Sequence, residues 1–192
     1  RRASDLLVVW RGDDNVGGLV DDETEVFGQR LNAATGTALG ANDFRISDMG
    51  GTGDAGYRAG EPVAAYNAAD NEYLVVWMGD DDVGATVDNE YEIFGQRLDA
   101  ATGAEVGSND FRISDMGGTN NTTTTANYRA YNNLTPHDAH PVVWRGVDNT
   151  APLVDNENEI FGQLINAATG LPVASNDFRI SDMGPDGNSN FD

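Results

Sequence analysis

Three tryptophans, Trp10, Trp77 and Trp144, stand 67 residues apart, and the residues around them recur at the same step. Phe27, Phe94 and Phe161 keep that spacing, as do three copies of FRISDMG beginning at Phe44, Phe111 and Phe178. From Val8 to Gly50 the copies align without a gap, and about 25 of the 43 positions hold one residue in all three. That degree of self-similarity marks a repeat architecture. A unit of this size buries too little apolar surface to stand comfortably alone, so the units are expected to share a core with their neighbours. Any function is then spread over equivalent sites, with no single pocket to concentrate it.

The second copy is the fullest. Glu61 to Asn67 (EPVAAYN) is a short extended run closed by the turn-rich AADN, and Glu72 to Met78 (EYLVVWM) is β-branched and aromatic, as a strand buried on both faces would be. After an acidic loop, Glu92 to Leu98 (EIFGQRL) is a third strand. Asp99-Ala-Ala-Thr-Gly103 follows, with an Asx residue opening the turn and a glycine able to take positive φ at its end. Asp110 to Asp115 (DFRISD) is the fourth strand, with Phe111 and Ile113 on one face. Four short antiparallel strands per unit, without helical periodicity, predict an all-β fold of β-propeller-like blades. Seven-stranded sandwiches need more residues than one unit has, and β-solenoid coils are shorter. The blades are expected over residues 1–50, 51–117 and 118–184, with 185–192 opening a connector to a further one. The first lacks its opening strand, and the third carries Pro141 where the second has Leu74, so its first strand is hard to place. Three blades are fewer than a closed ring uses, which predicts self-association or flanking blades of a longer chain.

The stretch AYNAADNEYLVVWMGDDD…DNEYEIFGQRLDAATG resembles the propeller-type repeat of very large secreted or surface proteins of marine and environmental bacteria. The resemblance covers nearly the whole chain, and its most specific parts are YLVVW and EIFGQRLDAATG. It implies an architecture and a secreted or cell-surface setting, and it implies no activity.

Composition narrows the partners. A net charge of −21 and a pI near 4.1 argue against nucleic acid and anionic membrane. All 11 basic residues are arginine, and no cysteine is present for disulfides, zinc–thiolate sites or thiol nucleophiles. No stretch is apolar enough for a membrane span. The chain opens on Arg1-Arg2 and ends in GPDGNSNFD, so it reads as a piece of something longer.

The chemistry on offer lies between each tryptophan and the FGQ strand. The candidate metal ligands there are Asp13, Asp14, Asp21, Glu23 and Glu25 in the first copy, and Asp80, Asp81, Asp88, Glu90 and Glu92 in the second. Asp148, Asp155, Glu157 and Glu159 are those of the third. If the DxExE alternation runs into the third strand, its three carboxylates project from one face at a spacing of roughly 7 Å. Carboxylates that close repel one another unless a cation lies among them, and a hard cation with many oxygen ligands, Ca2+, is the natural candidate. The competing reading is a solvated or ion-paired acidic surface, with Arg30, Arg45 and their counterparts as partners. No window has the EF-hand order.

Other features have quieter readings. The tryptophans sit inside VVW runs as core residues, although exposed aromatics can stack on sugars. Arg45, Arg112 and Arg179 are expected to pair with Asp48, Asp115 and Asp182. GGTGDAG at Gly50 reads as a loop between blades. His137 and His140 lie on a proline-bounded segment that suits a transition metal poorly, and Asn121 and Asn133 open glycosylation sequons by pattern. No nucleophile elbow, phosphate loop or metalloprotease motif is present, and the acids recur as ligands would rather than as an asymmetric catalytic pair. The expectation is a non-enzymatic, extracellular, calcium-binding structural or adhesive repeat protein, with a multivalent carbohydrate-binding propeller as the alternative.

Overall fold

The computed structural model describes residues 5–51, 53–81, 90–116, 131–132, 139–148, 152–153 and 157–183. Within them the chain is all β: eleven strands form three antiparallel sheets, and no helix is present. Sheet 1 holds β1 (Asp5–Asp13), β2 (Thr24–Asn32) and β3 (Ala38–Arg45) in that order. Sheet 2 holds β4 (Ala59–Asn67), β5 (Glu72–Asp80), β6 (Tyr91–Asp99) and β7 (Glu105–Arg112). Sheet 3 repeats that arrangement with β8 (Tyr131–Asn132), β9 (Ala139–Val147), β10 (Asn158–Asn166) and β11 (Pro172–Arg179). Among the described residues no sheet closes on itself, and no helix is long and apolar enough to cross a membrane.

The central pair of each sheet has the same register: Trp10 faces Phe27, Trp77 faces Phe94 and Trp144 faces Phe161. The following hairpin is set by its Asx residue and glycine. Asn32 Oδ1 accepts the N–H groups of Ala34 and Thr35 at 2.9 and 3.1 Å, and Gly36 takes φ 70°. Asp99 with Gly103, and Asn166 with Gly170, build the same turn.

Alternation along each strand splits every sheet into two apolar faces, and the faces pack sheet on sheet. One core joins Val26, Ile46 and Met49 of sheet 1 to Tyr73, Val75, Trp77, Phe94 and Leu98 of sheet 2. The second joins Leu74, Val76, Ile93, Ile113 and Met116 of sheet 2 to Val142, Trp144, Phe161 and Ile165 of sheet 3. Each sheet therefore points its FRISDMG face at the next sheet and its tryptophan face at the previous one. Trp77 and Trp144 are fully buried, whereas Trp10, which no other described sheet covers, is only half-buried.

Two details depart from expectation. The fourth strand starts earlier than Asp110, because β7 leaves the turn directly at Glu105. Its register then slips between Gly95 and Arg97, with Gly107 at φ 84° and Asp110 at φ 42°. A bulge interrupts the alternation that would have revealed a strand. In sheet 3 the described part of the first strand is β8, whose two residues pair with Val143 and Val142, beside the proline noted at position 141.

Candidate functional site

The acidic segments divide by residue type. In unit 1, β2 begins at Thr24, so of the DxExE acids only Glu25 lies on a strand; Asp21 and Glu23 precede it. Asp13, Asp14 and Asp21 are exposed, whereas Glu23 and Glu25 are completely buried. In unit 2 Asp80, Asp81, Glu90 and Glu92 are all buried, and in unit 3 Asp148 is half-buried with Glu157 and Glu159 buried. Asp88 and Asp155 lie outside the described residues, as do His137 and both sequon asparagines.

The second glutamate of each motif has a fixed set of donors. Ser47 Oγ donates to Glu25 Oε2, and Met49 N–H donates to Oε1 at 2.9 Å. Ser47 Oγ in turn accepts the N–H of Val26 at 2.7 Å. Glu92 repeats the set with Ser114 and Met116, the latter at 2.9 Å, and Glu159 repeats it with Ser181 and Met183, at 2.7 Å. The glutamate thus ties β2, or its counterpart, to the SDM segment beyond the fourth strand, where the backbone has left the ladder and its N–H groups need acceptors. Burial outweighs these hydrogen bonds in setting the charge state: the carboxyl of Glu25 is pushed up to about 7 and that of Glu92 to about 8.

The first glutamate serves the loops. Glu23 accepts the N–H of Val20 at 2.9 Å, and both its oxygens lie 3.0 Å from the N–H of Gly53. It fastens the β1–β2 loop to GGTGDAG, whose glycines 50, 51 and 53 all take positive φ. That stretch is the connection between sheets 1 and 2, as its composition suggests.

The calcium expectation meets this geometry unevenly. The oxygens of Glu23, Glu25, Glu92 and Glu159 already accept hydroxyl or backbone N–H groups, so these glutamates do not fit a calcium shell without surrendering those bonds. Asp13 and Asp14 each accept one backbone N–H, from Asp22 and Val16 at 3.1 Å, and keep their remaining lone pairs toward solvent. Among the described residues no three of the histidine, aspartate and glutamate side chains converge closely enough to hold a metal. Among the described residues, Arg30 pairs with Asp5 at 3.2 Å and Arg97 with Glu72 at 2.7 Å, acids that lie outside the loops. Arg45, Arg112 and Arg179 pair with Asp48, Asp115 and Asp182, at 3.2, 3.1 and 3.9 Å, as their spacing predicts.

Residues that the sequence reading passed over do the joining. Asp110 N–H is held by Gln96 Oε1 at 3.1 Å, which supports its positive φ, and its carboxylate crosses to sheet 1 to accept the N–H of Asp48 at 2.7 Å. Asp177 repeats this, with Gln163 at 2.9 Å and the N–H of Asp115 in sheet 2. Burial raises both carboxyls to about 7. Trp77 Nε1 donates to Met49 Sδ and Trp144 Nε1 to Met116 Sδ, each at 3.3 Å. The signal was present: the Gln, Asp, Ser and Met positions are identical in all three copies.

Compared with family models, curated proteins and solved structures, the chain matches none of them.

Proposed function

We propose that this chain is a structural or adhesive repeat element working outside the cell, its three sheets being propeller-like blades whose task is to present a stiff stacked body. The observation that carries the reading is the recurrence of one contact set at both sheet junctions: methionine on tryptophan, and an aspartate accepting a backbone N–H from the sheet before. Conserving a joint twice within one chain, while the acids are spent on backbone donors, favours construction over catalysis. The acidic exterior and the absence of lysine suit a saline or calcium-rich setting. Calcium enters in a narrower form than the sequence pattern suggests, on the loop aspartates, where it would offset a high local charge and order the turn.

One observation favours the carbohydrate-binding alternative. A groove of about 340 Å³ runs between sheets 1 and 2, lined by Phe44, Arg45, Thr102 and Glu105 among others, a mixture of ring and polar groups that suits a sugar. Against it, Trp77 and Trp144 are committed to the core.

The test is thermal unfolding with calcium and with EGTA, beside a glycan screen of the same sample. The structural reading expects one cooperative transition whose midpoint rises with calcium, and no retained glycan. An unchanged midpoint removes calcium from the reading. Separate melting of the units removes the stacked body itself, and saturable glycan binding shifts the function to the alternative.

A further inference from the structure

We propose that copies of this chain join head to tail: the outer face of sheet 3 in one copy receives the outer face of sheet 1 in the next, through the contacts that join the sheets within a chain. The proposal rests on the stacked-body reading above.

The internal junctions define what such a joint requires. Met49 and Met116 lie over Gly79 and Gly146, so close that a Cβ at either glycine would come within 2.6 Å of the methionine methyl. The slot is completed by the neighbouring tryptophan and by Phe94 or Phe161. The hairpin glycines Gly103 and Gly170 rest on the rings of Phe44 and Phe111. The aspartates of β7 and β11 cap the N–H groups of Asp48 and Asp115.

Each half of that set recurs at the ends of the stack, with much of it exposed. On sheet 3, Met183 and Ile180 are 49 % and 52 % exposed, Phe178 is exposed, and Asp182 stands where Asp48 and Asp115 offer their N–H groups. On sheet 1 the matching slot is formed by the half-buried Trp10 and Gly12 over the buried ring of Phe27, and it is flanked by Leu6 and Val8, which are 51 % and 45 % exposed. Asp43, the counterpart of Asp110, is exposed, and a Cβ on Gly36 would meet nothing within 4 Å. An apolar depression of about 120 Å³ beside Ile160 and Met183 lies where the matching residues of sheets 1 and 2 pack with the next tryptophan. Leu164 replaces the arginine found at positions 30 and 97, so that side chain adds no charge to the face to be covered.

The two faces differ, so the joint is heterologous and either closes into a ring or propagates. A second copy is the occupant that these groups fit, because the chain itself carries the complementary face. Among the described residues sheet 1 has no counterpart of β4, so the joint between copies is smaller than the internal ones and should reverse on dilution.

Sedimentation and light scattering of the full chain over a range of concentrations test this, with the variants Met183→Glu and Val8→Glu. Wild type is expected to assemble as concentration rises. Each variant alone should stay monomeric with an unchanged fold, since both side chains are half exposed. Mixed in equal amounts, the variants should form dimers and nothing larger, because one intact joint remains. A wild type that stays monomeric at every soluble concentration overturns the proposal. So does assembly that survives both substitutions, which would move the contact to another surface such as the sheet edges. A monomer that still melts in one transition leaves the stacked-body reading intact, whereas separate melting of the units would refute that reading as well.

Discussion

Sheets 2 and 3 carry the same FRISDM segment, yet the two copies live in different surroundings. Ile113 and Met116 are each 1 % exposed, whereas Ile180 and Met183 are about half exposed. Trp77 and Trp10 differ in the same sense at the opposite faces. Identical residues are core in one place and surface in another because each unit finishes only half of its own core. Stability in such a chain belongs to the junctions more than to the units, as in one-dimensional repeat arrays.

The strongest way to break that comparison is to truncate one tryptophan at a time. Trp77→Ala removes a fully buried ring and its contact with Met49, which should cost about 3–5 kcal/mol. Trp10→Ala, at low protein concentration, should cost about 1 kcal/mol or less, since that ring is only half-buried. Denaturant unfolding measures both. Equal losses would mean that the tryptophans stabilise their own sheets alone and that the junctions contribute little.

Protonation sharpens the comparison further. Glu92, in the sheet covered on both faces, is raised from 4.5 to about 8, and Glu25, in the end sheet, to about 7. A carboxyl whose folded pKa is raised holds its proton more tightly folded than unfolded. Its contribution is therefore complete below about pH 4.5 and fades as pH rises through 7 for Glu25 and 8 for Glu92. Asp110 and Asp177, raised to about 7 at the two junctions, act in the same direction. The melting temperature should thus fall between pH 5 and pH 8, the reverse of ordinary acid denaturation. Glu92→Gln mimics the protonated form and should flatten that slope by about 1–3 kcal/mol across the window, and Glu25→Gln by less. A melting temperature that climbs with pH in this range would show that the buried carboxyls stay ionised on folding.

Much of this arrangement is legible in the sequence, for physical reasons that also explain what is not. The 67-residue step, the VVW and FGQ strands and the Asx–Gly hairpins are local signals, and the Arg45–Asp48 type of pair follows from a three-residue spacing. The start of the fourth strand is hidden because Gly107 and Asp110 take positive φ and break the alternation. The glutamates mislead more deeply. Alternating acids look like a ligand row, but what decides their role is the serine 22 residues on and the backbone N–H 24 residues on, brought beside them by the sheet. Spacing can show that Glu25, Ser47 and Met49 recur together, but it cannot tell whether an acid faces water or a buried amide. Nor can it tell that Met183, unlike Met116, is half exposed.

The smallest expected effect concerns the ion pair at the edge of each junction. Arg97 reaches one oxygen of Glu72 with Nε and Nη2 at 2.9 and 2.7 Å, both side chains being largely buried, while Arg30 makes a single contact with Asp5 at 3.2 Å. Sheet 3 has Ala139 and Leu164 at these positions. Removing one partner strands a charge, so Glu72→Ala alone should cost about 1–3 kcal/mol. Replacing both, Glu72→Ala with Arg97→Leu, copies what sheet 3 already contains. The arginine stem packs near the Gly170 turn, and leucine keeps part of that apolar contact. Since desolvating two charges offsets most of their attraction, the double variant should lie within about 1 kcal/mol of wild type. A double-mutant cycle read by denaturant unfolding decides it. A large residual loss would mean that the pair holds the junction in register, and that sheet 3 can dispense with it only where its outer face carries no permanent neighbour.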